Sequence, residues 1–76
     1  MSHPSNGFLV VSDVYQRDGI GVEIYHDDQL IVEIFRDDSE RSRTITLFTE
    51  RISLELMEEA IQIFKKEIPW NFIDDE

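Results

Sequence analysis

Two glutamates on neighbouring segments are the residues whose spacing comes nearest to catalytic chemistry. Glu23 lies in the segment 22–28, and Glu33 lies in a similar segment ten residues later. In a hairpin with a three-residue loop the two carboxylates would face each other, which is the arrangement of an acid–base dyad. A broad sheet face in a chain of 76 residues leaves little room for a substrate pocket, however. We therefore interpret the pair as surface carboxylates and expect no enzymatic activity.

Metal chemistry has little support in the same sequence. The loop 37–40 offers oxygen ligands, but it lacks the alternating acidic ligands, the central glycine and the closing glutamate of a calcium loop. His3 and His26 have no partner at the spacing of a zinc site, and the chain contains no cysteine. The three glycines form no phosphate-binding loop. We expect no metal ion and no cofactor.

The charge of the chain disfavours several classes of partner. The 17 acidic and 7 basic residues give a net charge of −10. Nucleic acids and anionic membrane surfaces both require clustered lysine and arginine, so we expect neither as a direct partner. The hydrophobic share of 41% is that of a folded protein. No signal-peptide pattern and no apolar run of about 20 residues is present, and a cytoplasmic location is expected.

Alternating and periodic patterns predict four strands followed by one helix. The strands are predicted over 8–15, 22–28, 32–38 and 43–49. Asp-Asp pairs end the second and third strands and favour turns, and Gly19 is expected to supply a positive φ in the first turn. Ser53 is predicted to cap a helix that ends at Pro69. This order predicts an α+β fold, a four-stranded antiparallel β-meander with one C-terminal α-helix packed on one face.

One domain accounts for the whole sequence. We expect a flexible N-terminal tail over 1–7 and a single α+β domain over 8–68. The remaining residues, 69–76, are interpreted as a C-terminal apolar anchor followed by an acidic tip.

Alternation assigns the apolar residues of the sheet to the face that carries the helix. The predicted residues are Ile20, Val22, Ile24, Leu30, Val32, Ile34, Ile45 and Leu47. On the helix, the predicted sheet-facing residues are Leu54, Met57, Ala60, Ile61, Phe64 and Ile68. The first strand carries two equally apolar sets, and Asp13 favours the outward orientation for the set to which it belongs.

The opposite side of the sheet, here named the outer face, is predicted to be both aromatic and acidic. Its predicted residues are Glu23, Tyr25, Ile31, Glu33, Phe35 and Phe48. One helix cannot cover both faces, and exposed apolar residues ringed by carboxylates are typical of an interaction surface. Three occupants fit: the segment 70–73 folded back, a second copy of the chain, or a foreign partner. In a homodimer the two glutamates would need basic residues nearby, and the candidates are Arg36, Arg43 and Arg51.

These observations predict a small acidic protein-binding module. Its size, its acidity and its lack of cysteine are similar in type to inhibitors and immunity proteins that neutralise toxins or nucleases. The expected function is that of an inhibitor, immunity-type or adaptor protein that docks on a basic protein through the outer face. The predicted partner-binding residues are Glu23, Tyr25, Asp27, Asp28, Ile31, Glu33, Phe35, Asp37, Asp38 and Phe48. The alternative is a self-associating structural protein, a homodimer that uses the same face.

Overall fold

The computed structural model describes residues 6–73 as one antiparallel sheet with one helix. The elements are β1 (Gly7–Asp13), β2 (Gly19–His26), β3 (Gln29–Asp37), β4 (Ser42–Leu47) and α1 (Leu54–Glu67). The strand order is β1-β2-β3-β4, and α1 packs on β2 and β3. The predicted α+β fold is confirmed. Most of the predicted N-terminal tail and the predicted acidic tip lie outside the described residues, whereas Gly7 begins β1.

The core lies between α1 and the two central strands. Its buried residues are Val22, Ile24, Val32, Ile34, Ala60, Phe64 and Ile68. Alternate residues of β2 and β3 therefore face the helix, as the period-two pattern predicted. In β1, Phe8 packs against this core, and the set that contains Asp13 lies on the outer face opposite Gly19. Leu54 departs from the prediction, because it lies in the first helical turn and is 69% exposed.

Local signals set both ends of α1. The Ser53 hydroxyl accepts a hydrogen bond from the backbone N–H of Leu56 at 3.1 Å, which satisfies one of the free donors of the first turn. Ile52 before this cap and Met57 after it both pack against the core, at the spacing of a hydrophobic staple. Ile68 leaves the helical conformation just before the proline, as predicted.

A two-residue turn joins β2 to β3. Asp27 and Asp28 have φ values of 51° and 66°, and positive values at both central residues are the signature of a type I′ turn. The side-chain oxygen of Asn6 accepts the Asp27 N–H at 2.9 Å. Glu23 lies directly opposite Glu33, as predicted, but the predicted three-residue loop is wrong: the pairing arises from this two-residue turn together with one additional residue in β3.

A β-bulge changes which residues at the start of β3 face the helix. The register shifts after Ile24, so Tyr25 lies opposite Leu30 and Ile31 is the additional residue. Ile31 packs against the core from the helix side. Its predicted place on the outer face is therefore wrong, and Leu30 pairs with an outer-face residue where a core position was expected. A shift of one residue moves a side chain to the opposite face of a sheet.

Two glycines of β2 are required by the close approach of the neighbouring strand β3. A Cβ at Gly21 would lie 2.9 Å from Cδ1 of Phe35, and a Cβ at Gly19 would collide with the carbonyl oxygen of Arg36. Gly19 is the first residue of β2 and has no positive φ, so its predicted role in the turn is wrong. Its lack of a side chain serves strand packing instead.

The C-terminal segment 69–73 packs on the helix side of the sheet. Arg36 and Arg43 lie opposite each other on that side of β3 and β4. Their guanidinium groups donate to the carbonyl oxygens of Pro69 and Trp70, each at 2.7 Å. The alternative in which this segment folds back over the outer face is therefore wrong.

A buried ion pair fastens this segment to the end of β3. Arg36 is 2% exposed, and its Nε lies 2.9 Å from Oδ1 of Asp38. The same carboxylate accepts Nη2 of Arg36 at 3.1 Å and the backbone N–H of Ile73 at 3.1 Å. A buried arginine left without its carboxylate is strongly destabilising, so this contact holds the segment in place.

The two Asp-Asp pairs are alike in sequence, but they differ in structure and therefore in their response to glycine. Asp28→Gly is expected to raise the free energy of unfolding by about 0.5 kcal/mol, because glycine adopts a positive φ without steric cost. Asp38→Gly is expected to lower it by about 2–3 kcal/mol, because Arg36 loses its buried partner. Urea unfolding of both variants and of the parent chain measures the difference. Equal effects of the two substitutions would contradict the assignment.

Candidate functional site

The ten predicted partner-binding residues differ in accessibility, even where two of them, Glu23 and Glu33, lie directly opposite each other. Those near the β2–β3 turn are half-buried or exposed: Glu23, Tyr25, Asp27, Asp28, Ile31 and Phe48. Those further along β3 are buried or engaged in contacts within the chain: Glu33, Phe35, Asp37 and Asp38. The accessible part of the predicted site is therefore its turn end.

Arg17 covers the centre of the outer face. Its guanidinium carbon lies 3.8 Å from the centroid of the Phe35 ring, and Nη1 and Nη2 donate to the two oxygens of Glu33 at 2.8 and 3.1 Å. Phe35 is 1% exposed and Glu33 is 7% exposed. The guanidinium group thus supplies hydrogen bonds to both oxygens of the Glu33 carboxylate and shields the Phe35 ring from water. The expectation that these two side chains lie in solvent is therefore wrong.

Asp13 shapes the loop that positions this arginine. Its Oδ1 accepts the backbone N–H groups of Tyr15 and Gln16 at 2.9 and 3.3 Å, and its Oδ2 accepts Nε of Arg17 at 3.3 Å. The N–H of Tyr15 is the main cause that lowers the pKa of Asp13 below its ordinary value. The hydrogen bonds to Glu33 raise the pKa of Arg17 above its ordinary value. The charged forms of both Asp13 and Arg17 are thus favoured in the folded state.

The sequence indicated other arginines as partners for the two glutamates and did not single out Arg17. Arg36 and Arg43 lie on the helix side, where they bind the C-terminal segment. The signal that could have identified Arg17 is local. Asp13 precedes it by four residues, and its carboxylate accepts a hydrogen bond from the Arg17 side chain.

The acidic pair at the other end of β3 has structural partners. Asp37 is buried and its Oδ1 accepts the backbone N–H of Glu40 at 3.0 Å, which closes the β3–β4 turn. Asp38 binds Arg36, as described above. Neither carboxylate is a free charge on the surface, so neither serves as a free acidic contact for a partner.

Tyr25 and Glu23 remain on the outer face near the turn. The Tyr25 hydroxyl donates to Oε1 of Glu23 at 3.0 Å. Burial raises the pKa of Tyr25 above its ordinary value, and the hydrogen bond to the carboxylate adds to the rise. Phe48, just beyond the end of β4, is 54% exposed and lies at the same end of the sheet.

A shallow groove lies between the β2–β3 turn and the first turns of α1, and we name it the turn groove. Its carboxylates are Asp27, Glu55 and Glu59, and its apolar lining residues are Ile31, Ile52 and Leu56. His26 and Arg51 are its basic lining residues. The groove thus combines apolar surface with acidic side chains.

The carboxylates of the turn groove are largely free of partners. Glu55 and Glu59 are exposed, and within residues 6–73 neither takes part in an ion pair. Asp27 lies 3.7 Å from Nδ1 of His26, and its side chain is 83% exposed. Glu55 and Glu59 are four residues apart on a helix, so they project to one side, where like charges are mildly destabilising.

Among residues 6–73, no group of three or more histidine, aspartate or glutamate side chains is arranged to hold a metal ion. Within the same residues, no helix has the length and apolar composition of a membrane span.

Comparisons of the chain with protein-family models, with curated proteins and with solved structures give no match.

The contact between Arg17 and Glu33 is expected to stabilise the fold more than an exposed ion pair does. A double-mutant cycle with Arg17→Met and Glu33→Gln should give a coupling free energy of about 1–2 kcal/mol, because Glu33 is buried and bound by two hydrogen bonds. Urea unfolding of the four chains measures it.

The control for this cycle is the exposed pair of His26 and Asp27. The same cycle with His26→Ala and Asp27→Ala should give a coupling of about 0–0.5 kcal/mol. Equal couplings for the two pairs would show that Arg17 does not cover the outer face.

Proposed function

We propose that this chain is a small acidic protein-binding module that docks on a basic protein partner, as an inhibitor, immunity-type or adaptor protein does. The observation that supports it best is the turn groove. Three accessible carboxylates and three apolar side chains line one depression on a chain of net charge −10. Complementary charge speeds the encounter with a basic partner, and apolar contacts hold the complex.

The composition of the groove specifies the chemistry of the segment that it would bind. Glu55 and Glu59 on the helix would contact lysine or arginine side chains, and the apolar residues between them and β3 would contact apolar side chains. Arg51 lies in the lining as a cation, so the partner segment would carry its basic residues on the side of α1 and the β2–β3 turn. The partner is therefore a basic protein with a mixed cationic and apolar segment.

Several of the predicted partner-binding residues belong to this surface or lie beside it. Asp27 and Ile31 line the groove, and Asp28 completes the turn next to it. Tyr25 and Phe48 lie on the outer face at the same end of the sheet. A partner that wraps around the turn would contact both sets. We keep the absence of enzymatic activity and the cytoplasmic location as predictions.

The alternative of a homodimer through the outer face is less well supported. Its expected aromatic anchor, Phe35, lies beneath the guanidinium of Arg17 and offers almost no surface to a second copy. Anchors of interfaces are side chains that are accessible before binding and buried after it.

Neutralisation of the groove carboxylates tests the proposal. The immobilised parent chain is expected to capture a basic protein from lysate of the source cells, and less of it at high salt. The double variant Glu55→Gln with Glu59→Gln should bind the captured protein at least about fivefold more weakly, because two rim charges contribute about 1 kcal/mol together. Titration calorimetry with the purified captured protein measures the loss.

A matched control separates this site from the overall charge. Glu40→Gln with Glu67→Gln removes the same two charges from exposed positions outside the groove. Its affinity should stay within about twofold of the parent. Equal losses in the two double variants, or no salt-sensitive capture of any basic protein, would contradict the proposal.

A further inference from the structure

The strand β4 presents a free hydrogen-bonding edge. It is the last strand of the sheet, and within residues 6–73 no element pairs with its outer side. The N–H of Phe48 donates to the carbonyl of Ile31 at 2.9 Å, so the even-numbered residues of β4 bond to β3. The backbone groups of Arg43, Ile45 and Leu47 therefore point away from the sheet, where a further strand could bind them.

The side chains along this edge leave apolar surface exposed. Ile45 is 50% exposed and Leu47 is 47% exposed, both on the helix side of β4. Trp70 is 50% exposed beside an apolar groove that Ile45 and Ile61 also line. Ile45 and Leu47 form an apolar strip along the free edge, named here the β4 strip, and Trp70 lies beside it. Free edges are usually protected by proline, bulges or inward charges, and this one has only Arg43.

The charge of this region differs from that of the rest of the molecule. From Arg41 to Thr49 the chain contains no acidic residue, although its net charge is −10. Arg43 and Lys65 line the groove beside Trp70. The edge therefore lacks the carboxylates that would attract a basic partner. It is also the part of the surface where two copies of an acidic chain meet with little repulsion between carboxylates.

We infer that two copies of this chain associate through β4, in antiparallel register about a two-fold axis at Thr46. In this register the outward backbone groups of Ile45 meet those of Leu47 from the second copy, and the reverse pair forms by symmetry. Thr46 lies opposite Thr46 of the second copy, and Arg43 lies opposite the neutral Thr49 of the second copy. The result is one continuous eight-stranded sheet with both helices on the same side.

Other arrangements of the free edges match less well. A register centred on Leu47 places the strand residue Arg43 opposite Arg51 of the second copy, which sets like charges together. The Thr46-centred register instead brings Arg51 opposite Arg41, which lies outside β4. A register centred on Ile45 places Leu47 opposite Arg43. The other free edge, β1, leads into the acidic positions Asp13 and Asp18, so two copies paired there would bring carboxylates together. The Thr46-centred pairing of β4 alone gives every apolar strip residue an apolar partner.

A charge on the β4 strip tests the inference. Sedimentation equilibrium of the parent chain across the micromolar range should show the mass rising towards twice that of the monomer. Leu47→Lys should remain monomeric, because a lysine on an edge strand blocks pairing. Val10→Lys is the matched control, since Val10 is also 47% exposed on the helix side of an edge strand, but on β1. It should dimerise like the parent.

A single-cysteine experiment tests the register in a second way, which does not depend on the folding of Leu47→Lys. In the Thr46-centred register the two Cα atoms of residue 46 lie about 4.5 Å apart, within reach of a disulfide. Thr46→Cys should therefore oxidise to a cross-linked dimer, and the chain has no other cysteine to interfere. Thr44→Cys on the same face should not, because those two Cα atoms would lie about 14 Å apart.

The outcomes show whether a second copy of the chain pairs with β4. They do not depend on whether a basic protein binds in the turn groove. A parent chain that stays monomeric throughout overturns the inference and leaves the edge to a strand of another protein. A dimer that Leu47→Lys does not disrupt, or one that Val10→Lys disrupts equally, also overturns it. Equal cross-linking of Thr46→Cys and Thr44→Cys would reject the register. Binding of a basic protein at the groove would stand in each case.

Discussion

One helix cannot cover a four-stranded sheet, and this constraint determines which surfaces the chain leaves open. A helix is about 10 Å wide and neighbouring strands lie about 4.8 Å apart, so α1 covers β2 and β3 and little more. The core is correspondingly confined to these three elements. The outer face, both sheet edges and the ends of the helix must be satisfied by other means. The chain uses arginines for two of these tasks: Arg17 covers the outer face, and Arg36 binds the carbonyl of Pro69 just beyond the C-terminal end of α1.

These arginines change the electrostatic character of the sheet. Arg17 neutralises Glu33 and covers Phe35, and Arg36 neutralises Asp38 while it binds the C-terminal segment. Within residues 6–73, Glu55 and Glu59 of the turn groove take part in no ion pair, and they lie where the helix begins beside the β2–β3 turn. Acidity and accessible apolar surface therefore coincide at one end of the sheet. If two copies pair through β4, both grooves lie on the same side of the joined sheet, and the dimer can bind two segments at once.

The fold could be predicted from the sequence because its signals are local. Period-two alternation identified the strands and most of their core residues, and Ser53 and Pro69 set the helix ends. The site was predicted less well, because long-range contacts determine exposure. A single bulge moved Ile31 to the helix side, which no pattern of apolar residues indicates. The burial of Phe35 depends on an arginine in a loop 18 residues earlier in the chain, and the position of Trp70 depends on two arginines of the sheet. The exposure of residues such as Asp27 could be predicted, because they lie at a turn and turns are identified by local sequence signals.

The central claim is that a basic and apolar segment binds in the turn groove, and amide chemical-shift mapping tests it most directly. The ¹⁵N-labelled chain would be titrated at low salt with a short peptide of alternating lysine and leucine, and again at high salt. The account predicts salt-sensitive shifts that cluster at Asp27, Ile31, Leu56 and Glu59, with the amides of 36–43 unchanged. Shifts centred on the outer face around Arg17, or shifts spread evenly over all exposed acidic residues, would contradict it.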